Sequence, residues 1–127
     1  MVGLLIITHN KVGGALFDAA TSVVGSCPLP YEVLSVAKNC DPDKRLQKAQ
    51  KFIDKLNQSD GVLVITDMYG STPSNIACKL AADNVNIITG INLPMLIRIM
   101  NYPNLSLDKL TNKAVSGGQS GIIVVEN

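Results

Sequence analysis

The chain has 127 residues, enough for one domain over 1–127. Hydrophobic residues make up 46% and charged residues 17%, which excludes an intrinsically disordered chain. A net charge of +1, with no long run of one sign, gives no reason to expect nucleic acid or an anionic membrane as a partner.

From the amino terminus, Val2–Thr8 is a continuous apolar run. It is far too short to span a membrane. It also lacks the basic flank and cleavage site of a leader, so it reads as a buried central strand. Gly13–Gly25 reads as a helix with Ala15, Leu16, Ala19, Ala20, Val23 and Val24 on its buried face. Tyr31–Ala37 is a second, more alternating strand. Asp41-Pro42 supplies a cap and a first-turn proline for the next helix. There Leu46, Ala49, Ile53 and Leu56 recur on one side, and Lys44, Lys48, Lys51 and Lys55 form a solvated stripe on the other.

Gly61–Thr66 is a third strand, again apolar throughout. Thr72-Pro73 repeats the cap-plus-proline start for a helix carrying Ile76, Ala77, Leu80 and Ala81. Asn84–Thr89 is a fourth strand and Pro94–Met100 a short apolar helix. Ser106 caps a last helix through Leu107, Leu110 and Ala114, ending near Gly117. Gly117–Gly121 reads as a flexible hinge, and Ile122–Glu126 as a last short strand.

Strands alternating with helices predict an α/β fold: a parallel open sheet with helices on both faces, joined by right-handed crossovers. Ligands of such sheets bind outside the carboxyl ends of the strands, where the strand order reverses. The residues expected there are Thr8-His9-Asn10, Asp67–Thr72 and Gly90-Ile91-Asn92. His9 is the only histidine of the chain. A carboxylate such as Asp67, accepting the proton of one imidazole nitrogen, leaves the other nitrogen free to attack. Gly70-Ser71-Thr72-Pro73 adds a tight turn, two hydroxyls and a helix start, which together favour an anion. An imidazole nucleophile beside an anion site suits a phosphoryl group moving onto His9, with Ser71 and Thr72 on its oxygens.

Other chemistries find less support. Neither G-x-x-x-x-G-K-[ST] nor G-x-G-x-x-G occurs, so a nucleotide-driven kinase is a weak alternative. Cys27, Cys40 and Cys78 are odd in number and form no C-x-x-C pair, which predicts free thiols in a reducing cytoplasm. Neither a metal nor an organic cofactor is expected.

Three segments carry a family resemblance: Gly3–His9, Gly61–Asn75 and Ile88–Leu96, in this order and spacing. With them, essentially the whole chain resembles the mannose-family IIA component of the bacterial phosphoenolpyruvate-dependent sugar phosphotransferase system. The resemblance implies that His9 is the phosphorylated histidine, Asp67 the residue that orients it and Thr72 a ligand of the phosphoryl oxygens. It implies HPr as donor, a IIB component as acceptor, and membrane IIC and IID components met only indirectly. It further implies a homodimer in which a last, antiparallel edge strand is exchanged, and Ile122–Glu126 behind the Gly117–Gly121 stretch would be that strand. Asn10 and Ser71 stand where the family often has glycine, Tyr69 where a relative has tryptophan. Arg98 lies in a helix where an acidic or neutral residue is expected. Two other roles fit the same residues: a regulatory module whose contacts switch on phosphorylation, and the phosphocarrier subunit of a dihydroxyacetone kinase.

Overall fold

A strand that carries apolar side chains on both faces is stable only where both faces are covered. The computed structural model, which describes residues 1–58 and 60–126, puts both such strands at the centre of a sheet. They are β1 (Gly3–His9) and β3 (Val62–Thr66), paired in parallel with Ile7 opposite Thr66. β2 (Tyr31–Val36) flanks β1 and β4 (Val85–Ile88) flanks β3, both also parallel, in the order β2-β1-β3-β4.

Side chains alternate between two cores, as a pleat requires. Leu4, Ile6, Leu63, Ile65 and Ile88 face α1 (Val12–Val24), α4 (Leu93–Asn101) and α5 (Leu107–Ser120). Leu5, Ile7, Val62, Val64 and Val85 face α2 (Pro42–Leu56) and α3 (Thr72–Cys78). Helices thus cover both faces, as the alternation predicts. The lysine stripe of α2 is exposed, and Asp41 caps this helix by accepting from the Asp43 N–H at 3.0 Å.

Three local expectations need correction. The buried face of α1 is Gly13, Phe17 and Ala20, whereas Ala15, Ala19 and Val23 point to solvent. Gly13 decides this, because a Cβ there would lie 2.7 Å from Ile6 Cγ2, and its N–H donates to Thr8 Oγ1 at 2.7 Å. With Gly13 against β1, the residues four and seven positions on turn inward. The cap of α3 is Ser71 rather than Thr72, which is already helical. Finally, Gly117-Gly118 is no hinge: α5 runs through it to Ser120.

The reason is the approach of α4. A Cβ on Gly117 would lie 2.6 Å from Arg98 Cβ, and one on Gly118 3.0 Å from Met95 Cε. Asn92 completes this contact, accepting from the Met95 N–H at 2.9 Å and donating to the Gly118 carbonyl at 3.0 Å. Beyond α5, residues 122–126 are exposed and, among the described residues, pair with no strand. Among the described residues, no helix is long and apolar enough to cross a membrane.

Candidate functional site at the carboxyl edge of the sheet

The chain leaves β1 for β2 on one side and later places β3 and β4 on the other, so the order reverses between β1 and β3. His9 ends β1, and Asp67 follows β3 directly. The crevice between these two strand ends therefore brings together residues 58 positions apart.

Asp67 Oδ2 lies 2.8 Å from His9 Nδ1 and also accepts from the His9 main-chain N–H at 2.9 Å. Its Oδ1 accepts from the Met68 N–H at 3.0 Å. The loop after β4 holds the aspartate's main chain, through Gly90 N–H to the Asp67 carbonyl at 3.1 Å and Ile91 N–H to the Thr66 carbonyl at 3.0 Å. Burial pushes the Asp67 carboxyl pKa up. Hydrogen bonds from the His9 main chain and ring, then the ring's charge, outweigh burial and hold it below its ordinary value. An ionised carboxylate only accepts, so in the neutral ring the proton sits on Nδ1 and the lone pair on Nε2. The imidazole is 43% exposed and the carboxylate 16%, so the ring stands between Asp67 and solvent.

Asn10 takes a left-handed conformation, φ +46°, and its N–H donates to the Val36 carbonyl at 3.1 Å. Asparagine is one of the few side chains that tolerate this region. His9 and Asn10 open onto a cleft of about 360 Å³. Thr72 and Pro73 line it on the α3 side, and Ala37, Lys38 and Cys40 on the β2–α2 side.

Of the two predicted hydroxyls, only Thr72 lines this cleft. Ser71 Oγ instead donates to the Met68 carbonyl at 2.6 Å. Met68 and Tyr69, in the same turn, are 59% and 79% exposed. Arg98 packs its stem against Gly117 in the α4–α5 contact.

Lys38 and Cys40 escaped the sequence reading, although a signal for them existed. Parallel strands end at one edge, and Val36 pairs with His9, so the residues after β2 belong with those after β1 and β3. Among the described residues, no group of three histidine, cysteine, aspartate or glutamate side chains could hold a metal ion. The three cysteines are free thiols, and burial pushes the Cys27 thiol pKa up.

Comparison with known proteins places this architecture. Residues 3–115 match the EIIA-man family model, described as the PTS system fructose IIA component. The mannose-specific EIIAB component of the PTS from Escherichia coli K12 is 31% identical over 125 residues, 95% of this chain. The chain spans only 38% of the length of that relative. In fold it is similar to the mannose/sorbose-specific IIA subunit of the phosphotransferase system from Enterococcus faecalis, with a TM-score of 0.88 at 20% identity. That match covers 99% of this chain and 96% of the other. The phosphotransferase system component EIIA from Streptococcus agalactiae gives a TM-score of 0.86 at 18% identity, covering 98% of this chain and 97% of the other. The chain belongs to the EIIA-man family of phosphotransferase-system IIA components.

Proposed function

We propose that this chain accepts a phosphoryl group on Nε2 of His9 and passes it to a second protein, as a phosphocarrier in sugar uptake. One contact carries the proposal: the 2.8 Å pairing of His9 Nδ1 with Asp67 Oδ2 at the switch point of the sheet. It leaves Nε2 unprotonated and aimed away from the carboxylate. As Nε2 attacks, the ring becomes cationic, and Asp67 stabilises that charge. Thr72 offers its hydroxyl directly to the incoming oxygens. Ser71 reaches them once its hydroxyl releases the Met68 carbonyl.

HPr is the donor in this proposal and a IIB component the acceptor. The membrane IIC and IID components are met only through IIB, and nucleic acid has no part. The whole of 1–127 acts as one IIA domain in the cytoplasm, where its three free thiols stay reduced. The test mixes the protein with phosphoenolpyruvate, Enzyme I and HPr, and follows intact mass. One acid-labile phosphoryl group is expected, absent in His9→Gln and discharged by a IIB component. No gain, or a gain that persists in His9→Gln, refutes the proposal. A gain that discharges only to a dihydroxyacetone kinase subunit, or only switches binding to a non-transport protein, would assign the chain to one of those roles instead.

The same proposal makes residues 122–126 an antiparallel strand exchanged in a homodimer. Ile122, Ile123, Val124 and Val125 are 80%, 74%, 85% and 87% exposed, an apolar run that a single copy leaves uncovered. β4 is an edge strand, and a groove lined by Ile88, Thr89 and Ile122 lies beside it. Sedimentation at micromolar concentration is expected to give a dimer, and removal of residues 122–126 a monomer. A full-length monomer would contradict the exchange.

A further inference from the structure

We propose that Lys38 is a phosphoryl-binding residue whose ammonium group contacts the oxygens of the group carried by His9. This rests on the phosphocarrier function proposed above and adds a ligand to it.

The charge balance of the cleft motivates the inference. A phosphoryl group brings nearly two negative charges to the ring, and Asp67 already supplies one behind it. Thr72 adds only a neutral hydroxyl. α3 has seven residues, so its start contributes at most a small fraction of a charge. Of the residues lining the cleft, Lys38 is the one with a permanent positive charge, and none is acidic. A dianion held there without Lys38 would face no cation of the cleft lining beyond the phosphorylated ring itself, whose charge Asp67 already offsets.

Placement and freedom support it independently. Val36, the last residue of β2, sits opposite His9, and its carbonyl accepts from Asn10, so the β2–α2 loop starts beside the ring. Lys38 comes two residues later and is exposed. Among the described residues it forms no ion pair, whereas Lys55 is committed to Glu32 at 2.6 Å. A flexible four-carbon stem carrying an unpaired ammonium can follow the phosphoryl group as it arrives and leaves.

The transfer itself is unchanged in its balance. Nε2 of His9 attacks phosphorus, and the new N–P bond forms as the donor's bond to phosphorus breaks. The electron pair of that bond leaves with the donor, and the Nδ1 proton stays on the ring facing Asp67. Lys38 exchanges neither proton nor electrons. It stays charged throughout and offsets the charge on the three oxygens.

The test uses phosphoramidate, a small phosphoryl donor that needs no docking surface, alongside phospho-HPr. Lys38→Gln is expected to acquire the group from phosphoramidate roughly tenfold more slowly, the scale of one charge-assisted contact at a water-exposed site. Its phosphoryl group should also titrate at higher pH in phosphorus NMR, since loss of a neighbouring cation favours protonation. Lys38→Arg should restore both, and thermal stability should be unchanged in either variant. Equal loading rates and equal titration in wild type and Lys38→Gln would overturn the inference. If wild-type His9 is loaded by phosphoramidate but never by phospho-HPr, the phosphocarrier function fails while the Lys38 comparison still stands. If only phospho-HPr loads His9, the same rate and titration comparison is made with that donor, and if neither donor modifies His9, both are refuted.

Discussion

Asp67→Ala is expected to slow phosphoryl acquisition by His9 by roughly two orders of magnitude, the scale of a positioned acid–base partner, while the protein stays folded. Two effects of the carboxylate disappear together. Without the 2.8 Å contact to Nδ1, the ring populates both tautomers and loses its orientation. The developing positive charge of the attacking ring is then met by water instead of a fixed anion. Asp67→Asn separates the two, because an amide oxygen can still accept from Nδ1–H but carries no charge. It should fall between wild type and alanine. Fold is spared because, among the described residues, the Asp67 side chain bonds only to His9 and to its own neighbour Met68. Single-turnover rates with phospho-HPr, together with thermal melts, check this, and an Asp67→Ala protein that loads at the wild-type rate would contradict it.

The same carboxylate predicts a pH dependence of stability. Its folded-state pKa lies below the ordinary value. The sign follows: the folded state holds the ionised form more tightly, so the contribution is complete above the ordinary carboxylate pKa of about 4. It fades as pH falls through the depressed value. The part of the stability gap between wild type and Asp67→Ala that comes from the ionised carboxylate should therefore close under acid.

Gly117→Val is expected to destabilise the protein by about 2–3 kcal/mol, the upper range for overpacking a close contact. The added Cβ would meet Arg98 Cβ at 2.6 Å and Arg98 Cγ at 2.8 Å. These atoms belong to the rigid start of a side chain, so α4 and α5 must separate. That separation pulls Met95, Leu96 and Ile99 of α4 away from Leu110 and Ala114 of α5 in the core they share. A glycine within a helix already sacrifices roughly 1 kcal/mol relative to alanine, so its presence here is explained by the space it leaves rather than by flexibility. Denaturant titration measures the change. A hinge glycine would tolerate valine, and an unchanged midpoint would restore the hinge interpretation.

The contrast shows which features were legible in the sequence. Strand composition was decisive for β1 and β3, because runs apolar on both faces have no other stable place than the sheet interior. Once the sheet was parallel, the edge holding His9 and Asp67 followed from general topology. What failed depended on distance between elements. Gly117-Gly118 looks the same in sequence whether it bends a loop or lets two helices touch, and only Arg98 and Met95 across the contact decide. The face of α1 turned on Gly13, where an apolar count favoured Ala15 and Ala19. Lys38 follows the end of β2, which the predicted edge does not include, although the register of parallel strands puts that end next to His9. The hydroxyl of Ser71 illustrates the remaining limit: its bond to Met68 is a local turn contact that residue type alone does not reveal.

The most direct test of the His9–Asp67 assignment is the position of the phosphoryl group on the ring. Nitrogen and phosphorus NMR of the phosphorylated, nitrogen-15-labelled protein resolve Nδ1 from Nε2. With Nδ1 held 2.8 Å from Asp67, phosphorus should couple to Nε2 of His9 alone. Coupling to Nδ1, or a phosphoryl group on any other residue, would contradict the assignment.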